Sequence, residues 1–424
     1  MGTHQQHRIR TLWLAGALHA FTHVYHVALL PLYLLIRQDF HLDKLGRATL
    51  LVTAMMIAYF LPSFPMGVLA DRVSRKKLLG IGLFINGLGF ILLGLAPTYG
   101  LALAAVIVAG IGGSFYHPAA TAMVARLFPV GTGKALGLTG IGASVGFFLG
   151  PLYTGWRAEH SGWRAPVIEL GCLGLIGAIV FWLLADDDAP ATAAQRQPKQ
   201  APVEKLFPTP TLWLLFIAFS FAMSFRDFTG NGMGTVGSLF LQQARGMSVG
   251  NTGFALSWIF IMSMISNPLF GGLSDRGRIR WTAIILTIAA AMVAVFPHLP
   301  RAALIPAFMI YGFFFMASYP VIEAALMESV PDAVRGRVFG LFITIGGLVG
   351  NVSHWLVGRW VQHLGPAANS PQGFYHIYAL LGTFILLSLL GLPCLHAIRK
   401  REHLEAPSGA QPGASSLVMQ NPEL

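Results

Sequence analysis

Residues 78–96, 101–124 and 281–296 are apolar blocks nearly free of charge, and similar blocks recur along the whole chain. A helix needs about 20 such residues to cross a hydrocarbon core of about 30 Å. Lipid offers the backbone no hydrogen-bond partner, so each spanning segment must satisfy its own amides as a helix. Composition agrees: of 424 residues, 55% are hydrophobic and 11% charged, against roughly 25% charged in average soluble domains. A soluble chain of this kind would lack the polar side chains to cover its surface.

Helices are expected at 11–36, 46–70, 78–96, 99–127, 133–157 and 164–185, and again at 210–242, 249–273, 280–297, 301–328, 335–362 and 374–398. The segment 186–209, rich in Ala, Pro, Gln and Asp, reads as a cytoplasmic linker between an N-terminal bundle (1–185) and a C-terminal bundle (210–400). The Pro-, Gly- and Ser-rich stretch 401–424 reads as a disordered cytoplasmic tail. The first apolar segment follows His7, Arg8 and Arg10 and is too long for a signal core, so it reads as a permanent helix.

The formal net charge of +11 would suggest nucleic acid in a soluble protein. In a membrane protein it belongs to cytoplasmic loops, and no nucleic-acid partner is expected. With a cytoplasmic N-terminus, 19 of the 28 Lys and Arg fall in inside segments. Both termini are therefore expected in the cytoplasm, with the chain in a plasma (bacterial inner) membrane. Cys172 and Cys394 lie within apolar stretches and suggest neither a disulfide framework nor a metal knuckle. No metal site and no cofactor are expected, and no glycine loop ending in Lys-Ser/Thr signals nucleotide hydrolysis.

The two sets of helices repeat. Asp71-Arg72 and Asp275-Arg276 stand 204 residues apart in equivalent loops, and Pro129 and Pro331 stand 202 apart. Gly133-Lys134 and Gly336-Arg337 are offset by 203. Three landmarks at nearly one spacing indicate duplication, with two six-helix halves in the same orientation.

The loop containing Gly67, Leu69, Ala70, Asp71, Arg72, Arg75 and Lys76 resembles the signature loop of the major facilitator superfamily. The resemblance implies an all-α membrane fold of about twelve helices in two parallel six-helix repeats. It also implies a cavity lined by helices 1, 4, 7 and 10, and transport by alternating access. Gly67 would let two helices approach. Asp71 would cap a helix or pair with an arginine, and Arg72, Arg75 and Lys76, with Asp275 and Arg276 in the second copy, would form a latch for one conformation. Helix 5 carries Gly146, Gly150, Pro151 and Gly155, a pattern that resembles the antiporter motif of the superfamily and implies export. Residues 110–118 of helix 4, with His19, Thr22, His23, His26 and Pro31 of helix 1, resemble the fosmidomycin-resistance type of efflux protein. The chain departs from that type at Thr22, His23 and His26, and Val106 replaces the helix-4 arginine common in proton-coupled exporters.

Ionisable side chains inside membrane helices are costly, so each one is a candidate site residue. His19, His23 and His26 share one helix face, which Tyr33 continues. His117 precedes Pro118, whose missing N–H frees a carbonyl. Arg226 and Asp227 sit mid-helix beside Gly230, Asn231, Gly232 and Gly234, a run that reads as a broken or flexible helix. Adjacent helical residues point about 100° apart, so these two need not pair with each other: one reading sets one toward a cavity and the other toward a neighbouring helix, and the alternative is a buried structural pair. Glu323 follows Tyr319-Pro320, which repeats His117-Pro118 at an offset of 202. Glu328 is expected near the cytoplasmic end, paired with Arg72 or Arg337. A cavity between the halves is expected to hold His19, His23, His117, Arg226, Asp227 and Glu323 as substrate- and proton-binding groups. The leading expectation is a monomeric, proton-coupled exporter of a small molecule. The alternatives are an uptake symporter for an organic anion, a non-transporting receptor, and, least supported, a membrane metalloenzyme.

Overall fold

The computed structural model describes residues 3–70, 72–186, 206–331 and 334–405. Asp71, residues 187–205 of the expected linker and residues 406–424 of the expected tail lie outside the described residues. The chain forms α1 (Gln5–Asp39), α2 (Leu45–Phe60, continued by Ser63–Ala70), α3 (Arg75–Leu95), α4 (Tyr99–Leu127), α5 (Thr132–Ser161) and α6 (Arg164–Leu184). The second half follows as α7 (Pro210–Ala244), α8 (Val249–Arg276), α9 (Arg278–His298), α10 (Arg301–Met327), α11 (Arg335–His363) and α12 (Pro371–Arg401). Eleven of these are long and apolar enough to cross a membrane, and Leu45–Phe60 of α2 is a shorter apolar helix. No strand occurs among the described residues.

Local chemistry explains the starts and breaks. Ser74 caps α3 by accepting from the Lys77 amide at 3.2 Å. Thr209 caps α7 by accepting from the Leu212 amide, with Pro210 in the first turn. α1 tightens into a 3₁₀ turn at Leu30–Leu32, around Pro31. α4 breaks between Gly113 and Tyr116, just before Pro118. Proline has no N–H to bond the carbonyl one turn back. Pro151 and Pro320, in contrast, lie inside continuous helices. The expected break at Gly230–Gly234 is absent: the helix Pro210–Leu239 runs straight through it. Those glycines serve close approach instead. A β-carbon on Gly230 would crowd Phe315, and one on Gly234 would meet Leu30.

The repeat extends into the packing. A β-carbon on Gly110 of α4 would overlap the Met55 carbonyl of α2, and one on Gly312 of α10 would overlap the Ile259 carbonyl of α8. Gly146 of α5 lies against the Ala20 carbonyl of α1, and Gly350 of α11 lies against Asp227 of α7. Small residues let backbones touch where lipid supplies no hydrophobic drive between helices.

The halves meet along two seams, α5 with α8 and α2 with α11. Both are tight toward the face opposite the start of α1. Gly155 packs on Gly253, and a β-carbon on Gly253 would overlap the Pro151 carbonyl. Gly358 presses on Thr49, Thr53 donates to the Asn351 carbonyl at 2.8 Å, and the Trp355 amide donates to Thr53 Oγ1 at 3.1 Å. Between α1 and α7, Tyr33 meets Thr235 at 3.1 Å and Gln242 donates to the Pro31 carbonyl. Toward the other face the same helix stripes run on to Gly137 and Gly140 of α5, Gly271 of α8 and Gly340 of α11. Each of these has open space where a β-carbon would stand. The halves are therefore zipped on one side and parted on the other.

At the parted face Asp186 ties the end of α6 to the start of α1, accepting from Thr11 at 3.0 Å and from Arg10 at 3.3 Å. Glu328 pairs with Arg278 at 2.6 Å rather than with Arg72 or Arg337. Arg278 also pairs with Asp275, so the second-copy loop is tied to the end of α10. At the zipped face, Glu169 pairs with Arg157 and Tyr153, and Arg164 with Asp39.

Gly253→Val should loosen the zipped face, because overpacking costs about 1–3 kcal/mol and about 1.4 kcal/mol is a tenfold population shift. In a Cys172→Ser/Cys394→Ser background carrying Thr49→Cys, labelling by an impermeant maleimide should speed up about tenfold. An unchanged rate would show that this contact does not hold the face shut.

Candidate functional site

Two groups of polar side chains are enclosed at mid-helix, one in each half. The first is built on α1 and α4. His19, His23 and His26 lie on one face of α1, as their spacing requires. His19 Nδ1 lies 2.9 Å from the Thr139 carbonyl of α5. A carbonyl only accepts, so that nitrogen carries the proton and His19 Nε2 keeps a lone pair. His19 Nε2 lies 3.1 Å from His23 Nε2. The break in α4 brings His117 into the group, with its ring 5.2 Å from that of His19 and 5.7 Å from that of His23. His26 stands edge-on to His23 at 4.9 Å and to Tyr59 at 4.5 Å. Phe147 lies 4.1 Å from His23 and stacks at 5.0 Å on Phe260 of α8, so the group abuts the seam between the halves.

The second group is built on α7 and α10. Arg226 is 2% exposed and Asp227 8%. Of the two arrangements left open by helical geometry, the structure has the buried pair: Arg226 Nη2 and Nε donate to Asp227 Oδ1 at 2.7 and 3.0 Å. Gly346 and Gly350 of α11 make this fold-back possible, since β-carbons there would crowd the Asp227 side chain. The Arg226 guanidinium sits 4.3 Å from the centre of the Tyr319 ring, a cation–π contact that suits arginine. Its Nη1 is buried with no hydrogen-bond partner. Glu323, one turn beyond Tyr319, lies within electrostatic reach of Arg226 and Asp227.

The two groups are related by the repeat. His23 and Asp227 are 204 residues apart, and His117 and Tyr319 are 202 apart. Among the described residues no hydrogen bond or ion pair joins one group to the other directly. The structure thus brings His19, His23 and His117 together, and Arg226, Asp227 and Glu323 together, each within its own half. Tyr319, Tyr59 and Phe147 complete the groups and were not singled out as site residues; for Tyr319 the repeat of His117-Pro118 as Tyr319-Pro320 carried the signal. His354 was also missed. It lies 2.7 Å from Thr235, which contacts Tyr33, so a buried polar chain crosses from α11 to α1.

The helix-5 motif lies in contacts between helices. Gly146 and Gly150 pack on α1, and Gly155 packs on α8 with the Pro151 carbonyl against Gly253. In the signature loop, Gly67 lies beside Pro118 of α4, and Arg72 is exposed while Arg75 and Lys76 are half-buried. In the second copy Asp275 and Arg276 are exposed.

Known proteins agree with this architecture. The chain is 25% identical over 441 residues to the membrane sensor protein UhpC of Salmonella typhimurium, covering 95% of this chain and 94% of that protein. It is 27% identical over 326 residues to the multi-drug resistance efflux pump PmrA of Streptococcus pneumoniae, covering 70% and 75%. Its fold matches the crystal structure of a bacterial homologue of the human lysosomal transporter Spinster, in an inward-facing and unoccupied conformation, with a TM-score of 0.76 at 16% identity, covering 95% and 99%. Residues 12–354 match the profile of the Major Facilitator Superfamily, and the chain belongs to that superfamily.

Proposed function

We propose that the protein is a secondary active exporter of a small organic molecule, driven by protons and working by alternating access in a bacterial inner membrane. The observation that carries the reading is the buried Arg226–Asp227 pair with one guanidinium nitrogen unpartnered, beside Tyr319 and Glu323. Removing one partner of a buried pair leaves a charge uncompensated, at a cost of about 3–5 kcal/mol. A proton on Asp227 would do the same to Arg226. Arg226 would then turn to another acceptor, either Glu323 or an anionic group on the cargo, which its planar fork suits. Proton binding and cargo binding would compete for one guanidinium, which is what coupling requires.

Direction rests on three supports. The helix-5 motif resembles that of antiporters, and helices 1 and 4 resemble the fosmidomycin-resistance type of efflux protein. A relative named as a multi-drug resistance efflux pump points the same way. With both termini cytoplasmic, the parted face opens inward and the zipped face seals the outside. His19, His23 and His117 would line the wall of the N-terminal half. In this reading the loop at Asp71, Arg72, Arg75 and Lys76, with Asp275 and Arg276 in the second copy, steadies one of the two conformations.

A second reading is a membrane sensor, favoured by the full-length likeness to UhpC. A sensor binds its ligand without net movement. In proteoliposomes, an exporter moves at least one member of a panel of organic cations, anions and neutral drugs under an imposed pH gradient, whereas a sensor moves none.

Asp227→Asn and Glu323→Gln separate the two carboxylates. The variant that removes the coupling group should lower gradient-driven transport at least tenfold, corresponding to about 1.4 kcal/mol or more, and flatten its pH dependence. Full pH-dependent transport in both variants would place coupling elsewhere. Asp227→Asn should also lower the melting temperature, and Arg226→Gln/Asp227→Asn should regain most of the loss, because the double variant leaves no buried charge alone. A double variant no more stable than the single one would contradict the pairing. Asp71→Asn should slow transport at normal expression, and an unchanged rate would limit that loop to setting topology.

A further inference from the structure

We propose that His19, His23 and His117 form a binding site for a divalent transition-metal ion in the N-terminal half. One nitrogen from each imidazole lies within 4.8 Å of the other two. The closest pair, His19 Nε2 and His23 Nε2, is 3.1 Å apart. A tetrahedral ion with metal–nitrogen bonds of about 2.0–2.1 Å sets its ligand nitrogens about 3.3 Å apart. The α1 pair already stands close to that spacing. His117, just past the α4 break, supplies the third imidazole, with a ring nitrogen within 4.8 Å of both.

The surroundings match a metal-ligand shell. The Thr139 carbonyl holds the Nδ1 proton of His19, which fixes the tautomer and aims the Nε2 lone pair at the centre of the group. Backbone carbonyls commonly orient ligating histidines in this way. Without an ion, the arrangement is short of protons. His23 Nε2 must donate to His19 Nε2, which leaves His23 Nδ1 as a buried lone pair, and that atom has no partner. A cation would accept the Nε2 lone pairs of both rings and let His23 carry its proton on Nδ1. His26 Nε2 is likewise buried without a partner. It stands beside His23 as a fourth imidazole.

Ligand chemistry sets the class of ion. Among the described residues no carboxylate belongs to the group. Magnesium and calcium demand oxygen ligands, whereas imidazole suits zinc, copper, nickel and iron. Three imidazoles leave at least one coordination position open, as in zinc sites that bind an exchangeable ligand. His19 and His117 are half-buried and His23 is buried. The site is separate from the Arg226–Asp227 group, so it neither requires nor excludes proton coupling there.

The test uses full-length, untagged protein in detergent, stripped with a chelator and titrated with Zn²⁺ alone in the absence of any transported molecule. One tight equivalent per chain is expected. His23→Ala and His117→Ala should each weaken it by about tenfold or more, a loss at least as large as those seen on removing outer-shell partners. His363→Ala, an exposed histidine on α11, should leave it intact. X-ray absorption at the zinc edge of the unsubstituted protein should show three imidazole ligands, so the proposal stays testable if a variant fails to fold. No retained zinc, or zinc bound with fewer than two imidazoles, would overturn it. Because binding is read without transport, a failed metal site and a failed export reading give different results.

Discussion

A β-carbon on Gly253 would overlap the carbonyl oxygen of Pro151, so the absence of a side chain there is what lets the two halves close against each other on one side of the molecule. Equivalent contacts recur wherever helices must touch. Gly110 on Met55, Gly312 on Ile259 and Gly146 on Ala20 each place a glycine directly over a backbone carbonyl. In lipid, helices gain little by hiding apolar surface from one another, so close van der Waals approach and hydrogen bonds must hold them. The contacts within each half belong to rigid bundles. Those at Gly155–Gly253 and Gly358–Thr49 belong to a seam that tightens toward one face and relaxes toward Gly137, Gly271 and Gly340 at the other. A seam of this shape, closed at one end, is the geometry a rocking transporter needs.

The polar interior is expensive by the same physics. Four histidines and an Arg–Asp pair occupy positions where apolar residues would pack without desolvation cost. The repeat distributes them evenly: His23 answers Asp227, and His117 answers Tyr319. Two matched positions thus carry imidazoles in one half and a carboxylate and a phenol ring in the other.

Much of the frame was legible from the amino-acid order. The 202–204 offset set the two-fold organisation, and Pro118 marked the break in α4 where it falls. The i, i+4, i+7 spacing put three histidines on one face. The remainder depended on partners far away in sequence. Arg226 folds back onto Asp227 because Gly346 and Gly350, more than a hundred residues on, leave room beside that carboxylate. Gly230 and Gly234 looked like a helix break until Phe315, Tyr319 and Leu30 appeared as the groups they accommodate. Glu328 found Arg278 because the α8–α9 turn delivers that arginine to the end of α10. Glycine and charge announce that something comes close, but not what.

Proton movement tied to cargo movement is the property on which the functional reading stands. Purified protein in proteoliposomes holding a pH-sensitive dye, presented with a panel of organic cations, anions and neutral drugs, measures it directly. A transported compound should drive proton flux in the opposite direction, and Asp227→Asn or Glu323→Gln should uncouple the two. Cargo movement with no change in internal pH, or binding with no movement at all, would contradict a proton-coupled exporter.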